Sequence, residues 1–159
     1  MITSMQLRIL GNLRSNNHSV LSLYLRLWPN FRIHKVNVRD LIREKLKNLA
    51  QQGVSKEERK FVESDMEKIR EVVETFRETQ YRGLVVFSSK IHNIFEVFPL
   101  AHPVRDILVV NRAVHIGPLI SILNQYKRMC TLLVDRTRAR VFETFMGEIE
   151  EQSGIYTHV

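Results

Sequence analysis

The last third of this 159-residue chain reads as a helix, a strand, a short basic turn and a second strand. Its segments are IGPLISILNQY, KRMCTLLV, DRTRAR and VFETFMGEIEE, which together run from Ile116 to Glu151. A two-stranded hairpin with apolar strands cannot bury both of its faces alone. The segment therefore predicts the beginning of a second domain, and we expect part of the parent molecule's chemistry to lie beyond Val159.

The bulk composition is that of a globular protein. Apolar residues make up 44% and charged residues 26% of the chain, and no apolar run approaches the roughly 18 residues of a membrane span. The first residues lack the basic start, unbroken apolar core and cleavage site of a secretory signal. The single cysteine, Cys130, lies in an apolar strand and is expected to be buried and inert. These features predict a cytoplasmic protein without disulfides, metal-binding cysteines or cofactors.

The positive charge is concentrated in two blocks. The net charge is +7. Residues 26–60 contain ten Lys and Arg against four Asp and Glu, and residues 127–140 contain five against one. Basic charge gathered in this way favours a polyanionic partner such as RNA, although a solvated surface on a basic protein has the same composition.

Hydrophobic periodicity predicts an α/β first domain. Residues 20–27 alternate as a half-buried strand, and apolar stripes at helical spacing predict two long helices that form a hairpin. Ser55 with Glu58 forms a capping box that begins the second of these helices. The predicted helices span 3–13, 36–52 and 55–78, and the predicted strands span 20–27, 84–89, 93–98 and 107–110. We therefore predict a mixed sheet packed with a long helical hairpin (residues 1–113), followed by the first helix and β-hairpin of a second α/β domain (residues 114–159).

Three segments together resemble a known family. They are SVLSLYLRL, then RGLVVFSS after the helical hairpin, then PLISILNQYKRMCTLLVDRTRARVFETFMGEIEE. The third is the most specific, with its helix, "LLVD", basic turn, "ARVFE" and "GEIEE". In this order they resemble the amino-terminal portion of the bacterial and archaeal relatives of the eukaryotic-type class-1 peptide chain release factor, a superfamily that includes Pelota.

The resemblance implies a factor that binds the ribosomal A site and terminates translation, rescues stalled ribosomes or occupies idle ones. Release factors read the stop codon through Asn-Ile-Lys-Ser at the hairpin tip, where this chain has Gly53-Val54-Ser55-Lys56. They hydrolyse peptidyl-tRNA with Gly-Gly-Gln, but no two of the six glycines here are adjacent. The resemblance therefore implies ribosome binding without a hydrolysis motif in these residues.

The candidate RNA-binding residues are basic side chains on three segments: the outer face of the first long helix, the hairpin tip and the basic turn. Positioned cations suffice for phosphate contacts, while solubility alone also explains such patches. The candidates are Arg39, Arg43 and Lys47 on the helix, Lys56, Arg59 and Lys60 at the tip, and Arg136, Arg138 and Arg140 at the turn.

A search for catalytic chemistry assigns no catalytic or metal-binding residue. Asp135 follows a buried strand, and we expect it to hydrogen-bond the turn backbone because no second carboxylate is placed to share a metal ion. The six histidines show no ligand spacing. Glu148, Glu150 and Glu151 are expected to form a solvated, mobile acidic tail.

Two further hypotheses stay open from sequence. The parent is an RNA or ester hydrolase whose catalytic half lies beyond Val159, or the unfinished hairpin pairs with another chain by adding a strand at its edge.

Overall fold

The computed structural model describes residues 4–13, 18–28, 31–52, 54–125, 128–136, 138–145 and 148–156. The chain divides into two compact units, Met1–Ile116 and Gly117–Val159. None of the helices in these ranges is long and apolar enough to cross a membrane. The elements, in chain order, are α1 (Ser4–Asn12), β1 (Val20–Arg26), α2 (Phe31–Gln51), α3 (Lys56–Thr75), β2 (Gly83–Ser89), β3 (Ile94–Leu100), β4 (Ile107–Asn111), α4 (Gly117–Gln125), β5 (Met129–Val134), β6 (Arg138–Phe145) and β7 (Glu148–Tyr156).

The first unit contains a four-stranded sheet in the order β3-β2-β1-β4. The predicted α/β class is confirmed, but every strand pair is antiparallel, so the sheet is not mixed. The reason lies in the connections. The two helices between β1 and β2 return the chain to the end of the sheet from which it left, and β2 must therefore run against β1. A parallel pair needs a single crossover.

The core of the first unit lies between the helical hairpin and one face of this sheet. The predicted apolar stripes of both helices face the sheet, which confirms the hairpin. Burying one such aliphatic side chain contributes about 1.5–3 kcal/mol. The buried cluster consists of Leu21, Leu23, Leu25 and Leu27 with Leu84, Val86 and Leu108 on the sheet side, and Val38, Leu49, Val62, Met66, Ile69 and Val73 on the helix side.

Strand β1 is buried on both faces rather than on one. Val20 to Leu25 are all buried, because β1 is a central strand and the segment after β4 covers its second face. The polar side chains on that face are bonded there. The His115 N–H donates to Ser22 Oγ at 3.0 Å, and the Tyr24 hydroxyl donates to the His115 carbonyl at 2.5 Å. The sequence pattern predicted a solvated face because it shows polarity but not the bonds that satisfy it.

The two long helices have different boundaries from those predicted. Helix α2 begins at Phe31, five residues earlier than predicted. Helix α3 begins after Ser55, as predicted, and the Ser55 hydroxyl accepts from the Glu58 N–H at 3.2 Å. It ends early because Phe76 adopts an extended backbone. The Arg77 guanidinium then donates to the carbonyls of Glu74 and Phe76, which satisfies orphaned acceptors at the helix end.

A buried carboxylate joins α3 to the end of β2. Asp65 is only 2% exposed. Its Oδ1 accepts from Ser88 Oγ at 2.7 Å, and its Oδ2 accepts from the Lys90 N–H at 3.0 Å. Each oxygen therefore accepts a hydrogen bond from the protein in place of the water lost on burial, as buried polar groups require.

The second unit contains α4 and a three-stranded antiparallel sheet in the order β5-β6-β7. The predicted hairpin is confirmed as β5 and β6. The segment after Gly147, which we expected to be an acidic tail, is strand β7 over the described residues, and it pairs with β6 with a register shift between Val141 and Phe142. Glu150 and Glu151 are exposed, as expected.

The expected burial of Cys130 is also wrong. All six residues of β5 are exposed, Cys130 among them. β5 is an edge strand of its sheet, and apolar sequence alone does not indicate whether a layer covers such a strand.

Candidate nucleic-acid interface

The hairpin tip presents two exposed lysines on the first turns of α3. Lys56 and Lys60 are four residues apart and therefore lie on one side of the helix. Across the described ranges, neither lysine has a carboxylate within ion-pair distance. Arg59 differs, because its Nε donates to Glu63 Oε1 at 3.1 Å. The tip thus offers two unpaired cations and one partly neutralised guanidinium.

The tip is anchored to the start of β1 and carries acidic groups of its own. Ser19 Oγ donates to Glu58 Oε1 at 2.6 Å. The rings of His18 and Phe61 meet edge to face with centroids 6.3 Å apart. An open cavity of about 360 Å³ lies here, lined by His18, Ser55, Glu57, Glu58, Phe61 and Ile91. The lysines therefore lie beside a cavity lined in part by acidic side chains, and the tip is not uniformly basic.

The outer face of α2 carries the second set of candidates along its length. Arg39, Arg43 and Lys47 are all exposed and lie one turn apart. Arg39 Nη2 is 3.9 Å from Glu74 Oε1 on α3. No ion pair involves Arg43 or Lys47 within the part of the chain that the structure describes. Two of the three cations are therefore available to an external anion.

The basic turn between β5 and β6 is closed by Asp135. Its Oδ1 accepts from the Arg138 N–H at 2.7 Å, and its own N–H donates to the Arg138 carbonyl at 2.9 Å. This is the turn role predicted for Asp135. Arg136, Arg138 and Arg140 are exposed, and the last two project from the same side of β6 because they are two residues apart.

Arg140 is already engaged in the second unit. Its Nε and Nη2 each donate to a carboxylate oxygen of Glu151 at 2.7 Å. Its guanidinium carbon also lies 5.0 Å from the centre of the Phe142 ring. The hydrogen bond from Arg140 lowers the pKa of the Glu151 carboxyl below its ordinary value. Among the three arginines of the turn, Arg140 is therefore the one whose charge is matched by a bidentate carboxylate.

The structure places the nine candidates on two units. Six lie on the helical hairpin, where the stripe and the tip follow one another along the same pair of helices. The other three belong to the second unit. Within the described ranges, no three His, Cys, Asp or Glu side chains are grouped so that they could hold a metal ion.

Sequence reasoning missed an aromatic–cationic pair at the end of β1. The guanidinium carbon of Arg26 lies 4.3 Å from the centre of the Trp28 ring. The spacing of two residues at a strand end was the available signal, because it places both side chains on one side of the sheet.

Residues 115–159 match the family described as bacterial archaeo-eukaryotic release factor family 10. The resemblance noted from the sequence is confirmed there. This is the segment that contains the helix, the basic turn and the strand pair on which that resemblance chiefly rests.

Two solved structures share the fold over nearly the whole chain. One is described as an archaeal protein, with a TM-score of 0.57, 18% identity, and coverage of 98% of this chain and 44% of that one. The other is the archaeal translation termination factor aRF1, with a TM-score of 0.54, 17% identity, and coverage of 99% and 46%. At these identities the likeness shows the fold alone, and this chain spans less than half the length of either structure. The search of curated proteins found no match.

Proposed function

We propose that this chain is the amino-terminal portion of a cytoplasmic, ribosome-associated translation factor that acts in termination, rescue or idle-ribosome binding. In this proposal, residues 1–113 are the first domain and residues 114–159 begin the second. The chain contacts ribosomal RNA through its basic surfaces. It does so without a peptidyl-tRNA hydrolysis motif of its own, because no two of its glycines are adjacent.

One observation carries the proposal. The segment that matches the release-factor family, residues 115–159, belongs to a chain whose fold is shared over 99% of its length with a translation termination factor. The family match rests on residues 115–159, and the shared fold extends the likeness over the rest of the chain.

The exposed cations of the helical hairpin provide a physical means of binding. Lys56, Lys60, Arg43 and Lys47 are exposed and have no carboxylate partner among the described residues. Such cations release condensed counterions when they meet phosphates, which gives affinity without base readout. The paired side chains of Arg59 and Arg140 are expected to contribute less, because an anion must first displace a carboxylate.

The test is co-sedimentation of the chain with ribosomes across a series of salt concentrations. We expect binding that weakens steeply with salt, with a slope of log affinity against log salt of about −0.7 to −0.9 per phosphate contact. The double variant Lys56→Ala/Lys60→Ala should weaken binding at low salt and make that slope shallower by about 1–2.

The matched control is Lys68→Ala/Arg112→Ala, which removes the same charge from two exposed positions outside the candidate set. If this control weakens binding as much as the tip variant, only net charge matters and the assigned tip surface is wrong. If the unaltered chain does not sediment with ribosomes even at low salt, the proposed function fails for these residues.

A further inference from the structure

A second basic surface lies at the end of the first sheet where β1 finishes, away from the hairpin tip that is bonded to Ser19. It consists of Arg26, Trp28 and Arg105, which we call the strand-end cluster. All three residues are exposed. Trp28, the only tryptophan of the chain, retains 40% of its surface in solvent beneath the Arg26 guanidinium. None of these residues was among the sequence candidates.

The strand pairing brings the arginines of the cluster together. Tyr24 pairs with Ile107 in the antiparallel register of β1 and β4. Continuing that register by two residues sets Arg105 across from Arg26. On the other edge of β1, the Leu27 N–H donates to the Arg82 carbonyl at 2.9 Å. Arg105 therefore shares the side of the sheet that holds Arg26 and Trp28, whereas Arg82, opposite the buried Leu27, follows the helix side.

Gly83 allows the loop before β4 to pass close to this end of the sheet. A Cβ atom at Gly83 would lie 2.5 Å from the His102 carbonyl oxygen, which is too short for any side chain. The loop that leads to Arg105 therefore depends on the glycine next to Arg82. The position of Arg105 is thus set by close backbone packing as well as by strand pairing.

The nearby carboxylates are occupied by other donors. Asp106 accepts from the Arg26 N–H at 2.6 Å and from Asn37 Nδ2 at 3.1 Å. At the end of α3, Glu74 lies 3.9 Å from Arg39, and Glu78 accepts from Gln80 at 3.2 Å. Within the described ranges, no ion pair joins a carboxylate to Arg26, Arg82 or Arg105. The two positive charges of Arg26 and Arg105 therefore outnumber the single negative charge of Asp106 beside a flat aromatic surface.

We propose that the strand-end cluster binds single-stranded RNA. An unpaired base stacks on the Arg26–Trp28 pair, and a neighbouring phosphate contacts Arg105. Indole rings and guanidinium planes both serve as stacking surfaces for bases, and stacking is tolerant of sequence. A base inside a duplex cannot present its flat face in this way, so single strands are preferred. The inference deepens the proposed function by adding an RNA contact, and in its choice of RNA it rests on that function.

The intrinsic fluorescence of Trp28 gives a direct test. The probe is a single-stranded oligoadenylate of about ten nucleotides, within the usual range of single-strand site sizes, titrated into the full chain at low salt. We expect quenching that saturates, because a stacked base lies against the one tryptophan. An RNA duplex of equal length should quench several-fold less at equal phosphate concentration. Equal quenching by the duplex, or none by either RNA, overturns the proposal.

Two variants locate the phosphate contact. Arg105→Ala should weaken the oligoadenylate affinity several-fold and make its salt slope shallower by about 0.7, the value for one phosphate contact on a single strand. The matched control is Arg112→Ala, which removes an exposed arginine at the other end of β4 and should leave the affinity and the slope unchanged. Equal effects of the two variants would show a charge effect without a site, and would contradict the proposal.

The contribution of the Trp28 ring to binding is measured with a label on the RNA. With a fluorescent label on the oligonucleotide, Trp28→Phe should weaken binding modestly and Trp28→Ala more strongly, because stacking area falls in that order. Unchanged anisotropy titrations for both variants would overturn the stacking role. Far-ultraviolet circular dichroism of each variant verifies that β1 and its neighbours remain folded.

The same preparations separate this inference from the proposed function. Lys56→Ala/Lys60→Ala should weaken ribosome sedimentation while keeping the Trp28 quenching by oligoadenylate. Quenching without any ribosome binding would support the strand-end cluster and refute the ribosomal proposal. Ribosome binding without quenching would support the ribosomal proposal and refute the strand-end cluster.

Discussion

At the scale of single residues, Arg140 shows how the second unit uses charge within its own sheet. It donates two hydrogen bonds to Glu151 across the β6–β7 pair and lies over the Phe142 ring. A bidentate arginine–carboxylate pair fixes the relative position of two strands more tightly than a single point charge can. The same pairing reduces what Arg140 can offer to an outside phosphate.

The ionisation of Glu151 reports this pair. Arg140 lowers the pKa of the Glu151 carboxyl, so the stabilising effect is present above the ordinary glutamate pKa and is lost as the pH falls through the lowered value. We expect Arg140→Gln to return the pKa of Glu151 towards its ordinary value. Carboxyl carbon chemical shifts followed by NMR across acidic pH measure this, and Arg138→Gln is the control that should leave it in place. A Glu151 pKa unchanged by Arg140→Gln would contradict the pairing.

At the scale of elements, the start of α3 depends on one side chain. Ser55 Oγ accepts from the Glu58 N–H, which satisfies one of the four orphaned donors at a helix start. We expect Ser55→Ala to lower the free energy of unfolding by about 1 kcal/mol, measured by urea denaturation. The control is Ser64→Ala within the same helix, where alanine has the higher helix propensity and no cap is lost. Equal losses in the two variants would argue against the cap.

The junction of α3 with β2 depends on the buried carboxylate of Asp65. Replacing Asp65 by alanine leaves the Ser88 hydroxyl and the Lys90 N–H without their acceptor in a buried place. We expect the free energy of unfolding to fall by about 2–4 kcal/mol, because unmet buried donors are costly. The control Glu63→Ala breaks only the surface pair with Arg59 and should change stability by less than about 0.5 kcal/mol. Calorimetry or urea denaturation measures both, and a small loss for Asp65→Ala would show that water replaces the carboxylate.

Local sequence signals predicted the structure correctly where it depends on interactions between residues close in the chain. The Ser55 cap, the apolar stripes of the helices and the Asp135 turn are of this kind, so the spacing of residues predicts them. The direction of β2 relative to β1 and the burial of Ser22 depend on segments far along the chain. The alternation of apolar and polar residues therefore predicted β1 as a strand but could not show that its second face is also buried.

The candidate interface shows the same division. Charge blocks in the sequence located exposed cations correctly on α2 and at the hairpin tip. They could not show that Arg59 and Arg140 are paired, because the sequence does not give the distances from these side chains to Glu63 and Glu151. Arg26 was counted within a basic block, but its stacking on Trp28 and its neighbourhood with Arg105 arise from strand pairing.

At the scale of the whole molecule, the hydrophobic core is unevenly shared. The described buried cluster lies entirely between Leu21 and Leu108, within the first unit, whereas every residue of β5 in the second unit is exposed. A three-stranded sheet with so little cover contributes little apolar burial on folding.

We therefore expect a fragment ending at Ile116 to fold alone. It should show a cooperative thermal transition by circular dichroism, because it contains the complete cluster. A fragment of residues 117–159 should show no such transition, since in its described strands every residue of β5 is exposed and Phe145 is the buried residue of β6. A fragment 1–116 without a cooperative transition would mean that the first unit depends on the second.

The central position of β1 also has a consequence during synthesis. Leu21 pairs with Ser88 on one side and with Val110 on the other, so both neighbours of this strand are translated long after it. The apolar segment VLSLYL is therefore unpaired while the helical hairpin forms from local contacts. Strand pairs between segments far apart in the chain form slowly, and the unpaired strand edge is prone to aggregation until they do. The nascent chain of this protein therefore exposes an apolar, unpaired strand until β2 and β4 have both been synthesised.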